Sequence, residues 1–224
     1  MQLNLTNKSG ISTQKPMLKP WAIHDVILKS VEYSEFAKKD DPSQEFKTMK
    51  IRFENETGYF EETIFCPKDG DDERRKNINK STGAETEMVS SFENFQIEIA
   101  HIGESLFSEN YTRFKTKSFN LPDQFKEFVE LFKKAATPAI NKSTKLKLIG
   151  NKEGRPRLPY FARINKEGDA VITNNFLGDK VFFSDYELTQ AEKFKDIKPT
   201  NMKKSSTPTD DLESSESTDL DFEL

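Results

Sequence analysis

The sequence predicts a mainly β (α+β) fold, a five-stranded barrel with a helical insertion between its third and fourth strands. Three observations carry this. Residues 22–66 hold three stretches in which apolar and polar residues alternate, the period of a half-buried strand. Between about residues 86 and 137 the apolar spacing changes to three and four, the period of an amphipathic helix. Alternation then returns from residue 144.

Residues 1–20 are polar, contain Gly10, Pro16 and Pro20, and read as a flexible arm carrying Lys8, Lys15 and Lys19. Residues 22–36, AIHDVILKSVEYSEF, read as one long strand. His24, Val26 and Leu28 share a face, whereas Val31 and Tyr33 lie on the other with Ile27. Side chains alternate strictly along a strand, so this change of phase predicts a bulge or bend near Lys29–Ser30. A bent first strand is what a small closed barrel requires, because that strand pairs on both sides. Residues 45–54, EFKTMKIRFE, place Met49, Ile51 and Phe53 inward and Phe46, Thr48, Lys50 and Arg52 outward. Asn55–Gly58 predicts a hairpin turn in which Gly58 supplies a positive φ. The third strand, 59–66, sets Phe60, Ile64 and Cys66 on one face and Tyr59, Thr63 and Phe65 on the other, and Pro67 ends it.

Residues 68–87 read as a charged loop containing Arg74, Arg75, Lys76 and Lys80. Met88, Phe92, Phe95, Ile99, Ile102 and Leu106 predict a first helix, with His101 beside the stripe in a structural role. Pro122 opens a second helix, whose buried side is Phe125, Phe128, Val129, Phe132 and Ala136, and Pro138 stops it. A fourth strand at 144–149 puts Leu146 and Leu148 inward and Lys145 and Lys147 outward. Residues 155–164, RPRLPYFARI, form a strand interrupted by Pro156 and Pro159, which belongs at an edge or starts after a kink. After a turn at 166–169 come Ala170–Ile172 and the apolar runs 176–177 and 181–183. Ser184 with Glu187 is a capping box opening a last helix to about Phe194.

The formal net charge of the 224 residues is −4, from 34 basic and 38 acidic side chains. Residues 205–224, SSTPTDDLESSESTDLDFEL, hold seven of those acids and none of the bases, so the rest of the chain carries +3. An acidic, Ser/Thr-rich tail cannot bury enough apolar surface to order itself. Its Leu220, Phe222 and Leu224 alternate with carboxylates, the pattern of a peptide held by a basic partner with an apolar pocket. Such charge asymmetry suggests nucleic-acid work with an acidic arm. One cysteine, Cys66, excludes an intramolecular disulfide and fits a reducing compartment. With only His24 and His101 beside it, no zinc site and no cofactor are expected. The absence of a secretory h-region and of a long apolar span leads to the expectation of a soluble, cytoplasmic protein without a membrane partner.

Three strands, a helical section and further strands follow the order of an OB-fold barrel, although a split α+β sheet under a helical layer has the same order. The chain resembles phage-encoded single-stranded DNA-binding proteins. The resemblance lies in IHDVILKSVEYSEF followed by EFKTMKIRFENETGYFEETIF, in the helical insertion before TKLKLIGNKEGRPRLPYFARI, and in the terminal DLDFEL. It covers residues 22–194 in architecture and 210–224 in composition. It implies an OB-fold that binds single-stranded DNA without sequence preference, in replication, recombination or repair, in the host cytoplasm. It further implies that the tail, Asp219, Leu220, Asp221, Phe222, Glu223 and Leu224, recruits replication proteins such as a polymerase or helicase–primase and shields the DNA groove. A homodimer is compatible with it. The expected organisation is an arm at 1–20, an OB-fold-like domain at 21–195 with its insertion at about 86–137, and a disordered linker and acidic tail at 196–224.

Stacking on aromatics and pairing of cations with phosphates define the candidate contacts. On the first two strands they are Lys29, Tyr33, Phe46, Lys50 and Arg52. The basic loop adds Arg74, Arg75 and Lys76 as a flap, and the fourth strand adds Lys147. The interrupted strand adds Arg155, Arg157, Tyr160, Phe161 and Arg163. Two other classes compete. Glu45–Phe46–Lys47 has the acid-x-lysine spacing of metal-dependent nucleases, although no catalytic residues are expected. A protein–protein adaptor or virion module would use the same sheet without nucleic acid.

Overall fold

The computed structural model describes residues 15–39, 41–78, 83, 85–159, 162–172 and 174–194. The architecture is mainly β, a curled five-stranded antiparallel sheet accompanied by two short hairpins and three helices. The sheet contains β1 (Ala22–Lys38), β2 (Asp41–Glu54), β3 (Tyr59–Phe65), β6 (Ser143–Gly150) and β7 (Pro156–Arg157), in the order β3-β2-β1-β6-β7. The first strand is shared. Its start, Ala22–Ile27, pairs with β6, and Ile27–Lys38 pairs with β2. The register shifts between Leu28 and Ser30, so Lys29 is the extra residue of a bulge. That single insertion lets Val26 and Leu28 before it, and Val31 after it, all be buried. The change of phase read from the sequence is this bulge.

Met49, Ile51 and Phe53 of β2, with Phe60 and Ile64 of β3, complete the core-facing side of the meander. The β2–β3 turn is organised by Asn55, whose Oδ1 accepts from the amides of Thr57 and Gly58. Gly58 does not adopt a positive φ. It is needed because a Cβ there would lie 2.6 Å from the carbonyl oxygen of Pro16. Residues 16–18, placed in the arm by the sequence, run alongside β3: Leu18 N and Tyr59 N each bond across this seam, and Leu18 is buried.

The expected loop at 68–87 holds a hairpin, β4 (Arg75–Ile78) against β5 (Glu85–Met88). Met88, expected to start the helical stripe, is exposed on β5 instead. Helix α1 (Ser91–Phe114) starts one turn later, closed by a capping box between Ser90 and Glu93. It kinks at Phe107, where the backbone leaves helical values, and folds back so that Tyr111 covers Gly103. Helix α2 (Phe125–Ala136) buries Phe125, Phe128, Val129, Phe132 and Ala136, as its spacing predicts. Phe95, Phe107, Phe114, Phe119, Phe128 and Phe132 stack and cross one another in this layer. His101 is buried there. Its Nε2 accepts from the Phe176 amide at 3.4 Å, and burial pushes its imidazole down to about 4, so it stays neutral.

The expected strand over 155–164 is split at its prolines. Pro156–Arg157 pairs with β6, while β8 (Ala162–Ile164) pairs with β9 (Ala170–Ile172) as a separate two-stranded sheet. Helix α3 (Asp185–Phe194) is capped by Ser184, whose amide donates to Glu187 Oε2. Among the described residues, no helix is long and apolar enough to cross a membrane.

Candidate nucleic-acid interface

Beyond the bulge, the face of β1–β2–β3 that points away from the core carries side chains in cross-strand rows. Ser30, Arg52 and Glu61 form one row, Glu32, Lys50 and Thr63 the next, and Ser34, Thr48 and Phe65 the third. Phe36 and Phe46 face each other at the hairpin end. Thr48 is on this outer face, as read from the sequence, but is fully buried there and donates to the Ser34 carbonyl.

Phe36, Phe46 and Phe65 form a cluster drawn from three adjacent strands. Their ring centroids lie 5.5 Å (Phe36–Phe46), 6.0 Å (Phe46–Phe65) and 6.3 Å (Phe36–Phe65) apart. Phe36 is 44 % and Phe65 52 % exposed. Core phenylalanines are normally removed from water, so a cluster with two of its three rings exposed is the feature of this face that folding alone does not explain. Lys68 Nζ lies 4.8 Å from the Phe46 centroid, and a groove of about 580 Å³ opens beside it between Glu45, Phe46, Lys47, Phe65, Lys68 and Pro122.

Farther along the same face, Lys50 and Arg52 are tied to acids. Lys50 lies 3.7 Å and Arg52 3.9 Å from Glu61, and Arg52 Nε donates to Glu54 at 2.7 Å. Arg52 also sits 4.2 Å over the Tyr59 ring. The arginine beside Glu54 holds that carboxyl below its ordinary value. These are half-exposed pairs on the outer face, not bare cations.

Several predicted contacts are placed elsewhere. Tyr33 does not face outward, because it shares the face of Val31, which the bulge turns toward the core. It packs 6.3 Å from Phe125 under α2, and its hydroxyl donates to Glu35. Burial, then Glu35, push its phenol well above the ordinary value. Lys147 is not outward either, being 1 % exposed, because both faces of β6 are covered; its Nζ donates to Glu187 and to the Phe182 carbonyl. Arg74 is a hub rather than a phosphate contact. Its guanidinium forks onto Glu93, reaches Glu87 and donates to the Gly168 carbonyl, so it ties the β4–β5 hairpin to α1 and to the β8–β9 turn. Hydrogen bonds from Arg74 hold the Glu93 carboxyl down to about 2.

Lys29 is exposed at the bulge, and Arg75 is exposed on β4. Lys76 pairs with Glu85 at 3.0 Å and Arg155 with Glu153 at 3.2 Å. Arg157 is exposed at the far edge of the sheet, three strands from Arg52, and Arg163 is exposed on the separate β8–β9 hairpin. The structure therefore groups Phe46, Lys50 and Arg52 on one strand face but does not join Arg157 and Arg163 to them. Tyr160 and Phe161, and the tail residues Asp219, Leu220, Asp221, Phe222, Glu223 and Leu224, lie outside the described residues.

Sequence reasoning does not single out Phe36 and Phe65, although Phe65 shares its parity with Tyr59 and opposes the core pair Phe60 and Ile64. Phe36 becomes outward only once the bulge is counted. Among the described residues, no group of three or more His, Cys, Asp or Glu could hold a metal ion. Comparisons with protein-family models, with curated protein sequences and with solved structures find no match for this chain.

Proposed function

We propose that the chain is a sequence-tolerant single-stranded DNA-binding protein acting in replication, recombination or repair. In this reading its sheet is an OB-fold-like half-barrel, and its acidic tail recruits replication proteins and shields the DNA face. The strand order β3-β2-β1-β6-β7, with a first strand shared across the bulge and helices before β6, supports the OB-like reading.

The observation that carries the functional reading is the outer-face Phe36–Phe46–Phe65 cluster, in which Phe36 and Phe65 are exposed and Lys68 lies over the Phe46 ring. Every base has a π-face, so such a platform stacks bases of any sequence at about 1–3 kcal/mol each. Half-exposed ion pairs like Lys50–Glu61 contribute only about 0–1 kcal/mol, so a phosphate competes with Glu61 on nearly equal terms. The β4–β5 hairpin, with Arg75 and Lys76 exposed, serves as a flap over the bound strand. A tail with seven negative charges imitates the phosphate backbone and occupies the same face until DNA displaces it.

The test is fluorescence anisotropy of labelled oligo(dT) and of a duplex of equal length, at two salt concentrations. Oligo(dT) should bind more tightly than duplex, with affinity falling steeply with salt. Deleting residues 205–224 should tighten binding at low salt. The absence of salt-dependent binding would remove the proposal, and cleavage of the oligonucleotide in magnesium would replace it with a nuclease.

A further inference from the structure

At the opposite edge of the sheet from the phenylalanine cluster lies a second groove, of about 420 Å³, lined by Trp21, Lys152, Arg157, Tyr186, Gln190 and Phe194 among others. Its floor is built around one tryptophan. Trp21 enters β1 with a left-handed φ of 57°, a conformation that residues bearing a side chain rarely adopt. Its indole lies against Gly150, where a Cβ would come within 2.6 Å of Trp21 Nε1. The ring runs parallel to Phe194, with centroids 6.3 Å apart and planes 7° from each other. Tyr186, Gln190 and Phe194 recur every four residues on α3 and so share the face that lines the groove. Tyr186 is 72 % exposed, a large ring offered to solvent.

Among the described residues, the groove sets two cations without an ion pair beside its aromatic rings, whereas several cations elsewhere are already matched. Lys50, Arg52, Arg74, Lys76, Lys147 and Arg155 all sit within ion-pair distance of a carboxylate. Among the described residues, no ion pair engages Lys152 or Arg157. The acid lining the groove, Glu187, already receives the buried Lys147 on its Oε2.

We propose that this groove is a second single-stranded nucleic-acid subsite, in which a base stacks on the Trp21–Phe194–Tyr186 wall and the adjoining phosphate is held by Arg157 and Lys152. The inference rests on the single-strand reading above and extends the footprint to the opposite edge of the sheet. Flat aromatic faces, two uncompensated cations and the amides of Asn151 and Gln190 suit a base and its phosphate. They suit an aliphatic peptide less well, because the lining holds one aliphatic side chain, Ile149. Stacking and cation–π contact both accept any base.

Trp21 is the sole tryptophan, so its emission reports this groove alone. The experiment follows Trp21 emission of the full chain during titration with unlabelled oligo(dT), alongside anisotropy of labelled oligo(dT). Both are repeated with the exposed-site variants Tyr186→Ala and Arg157→Ala. Saturation should quench Trp21, and each variant should weaken binding by about fivefold or more. Arg157→Ala should also lower the slope of log affinity against log salt by roughly one. If wild-type anisotropy shows binding but Trp21 is silent, or neither variant weakens it, the groove is idle while the single-strand reading stands. If the wild type does not bind oligo(dT) at low salt, both fall. Quenching by the peptide DLDFEL but not by oligo(dT) would assign the groove to an acidic peptide and overturn the inference.

Discussion

Lys147 and Glu187 meet as a buried ion pair 3.0 Å apart, joining the middle of β6 to the first turn of α3. Lys147 Nζ also donates to the Phe182 carbonyl, and Glu187 Oε2 also accepts from the Ser184 amide and hydroxyl. Among the described residues, Glu187 Oε1 is buried without a hydrogen-bond partner. The pair therefore positions α3 more than it stabilises the fold. Removing one partner strands the other charge, and Lys147→Ala or Glu187→Ala should lose about 3–5 kcal/mol. Replacing both, as Lys147→Met with Glu187→Leu, should recover most of that loss. Urea denaturation of the three variants checks it; a double variant as unstable as the singles would contradict the account.

The exposed phenylalanines predict a separation of affinity from stability. Phe65 lies half in water on β3, so Phe65→Ala should change unfolding free energy by no more than about 0.5 kcal/mol. The same change should weaken oligo(dT) binding by about 1–3 kcal/mol. Parallel anisotropy titration and thermal melting check both numbers, and a variant that melts early without losing affinity would make the cluster structural.

Arg74 predicts a local rather than global effect. Its fork onto Glu93 and its contacts to Glu87 and Gly168 hold the β4–β5 hairpin in place. Arg74→Ala should speed amide exchange at residues 75–78 and 85–88 while leaving β1 and β2 protected. Lysine has no planar fork, so Arg74→Lys should resemble alanine. Exchange mass spectrometry reads this directly. Glu93 is held down by Arg74, so its share of stability is present above about pH 4.5 and disappears as pH falls through about 2.

Gly103 predicts a sign reversal. In an exposed helix, Gly→Ala adds about 1 kcal/mol of stability. Here the new Cβ would collide with the Tyr111 ring, which folds back over Gly103 beyond the kink at Phe107. Gly103→Ala should therefore destabilise, by about 1–3 kcal/mol. A raised melting temperature would show that the ring moves aside freely.

Glu62 of β3 and Glu98 of α1 are both half-buried, with their carboxyls close enough to interact. Burial raises both above the ordinary value of 4.5, and the charge of Glu62 raises Glu98 further. The folded chain then keeps protons that the unfolded chain has released, so stability falls as pH rises from about 4.5 into the neutral range. His101, held down by burial, acts in the opposite sense as pH falls below 6.5. Both wild type and Glu98→Gln contain His101, so their difference isolates the carboxyls. Glu98→Gln should raise the melting temperature by a few degrees at pH 8 and hardly at pH 5. Equal shifts at both pH values would contradict this.

Periodicity made the core legible wherever one face of an element is buried. Met49, Ile51 and Phe53, the Phe125–Ala136 stripe, the bulge at Lys29 and the Ser184–Glu187 cap all follow from local pattern. Lys147 was illegible because alternation tells which residues share a face, not whether a later segment covers the other one; residues 182–187 do so here. Tyr33 shares the face of Val31, as the pattern indicates, but alternation does not tell which face the helices cover; α2 covers this one through Phe125. Arg74 looked like a free cation because its partners Glu87, Glu93 and Gly168 are brought to it by the tertiary fold.

The shared first strand also sets the order in which the molecule can be assembled. Its distal half pairs with β2 across a hairpin of a few residues, whereas its proximal half waits for Ser143–Leu148, roughly 120 residues downstream. Short closures form early and long ones late, because the chain must surrender loop entropy before any distant contact rewards it. The β1–β2–β3 meander can therefore zip as soon as residue 65 is synthesised, leaving Ala22–Ile27 an unsatisfied edge until both helices have been made. That edge is the stretch a nascent chain must protect from its neighbours, and the last to become resistant to exchange on refolding.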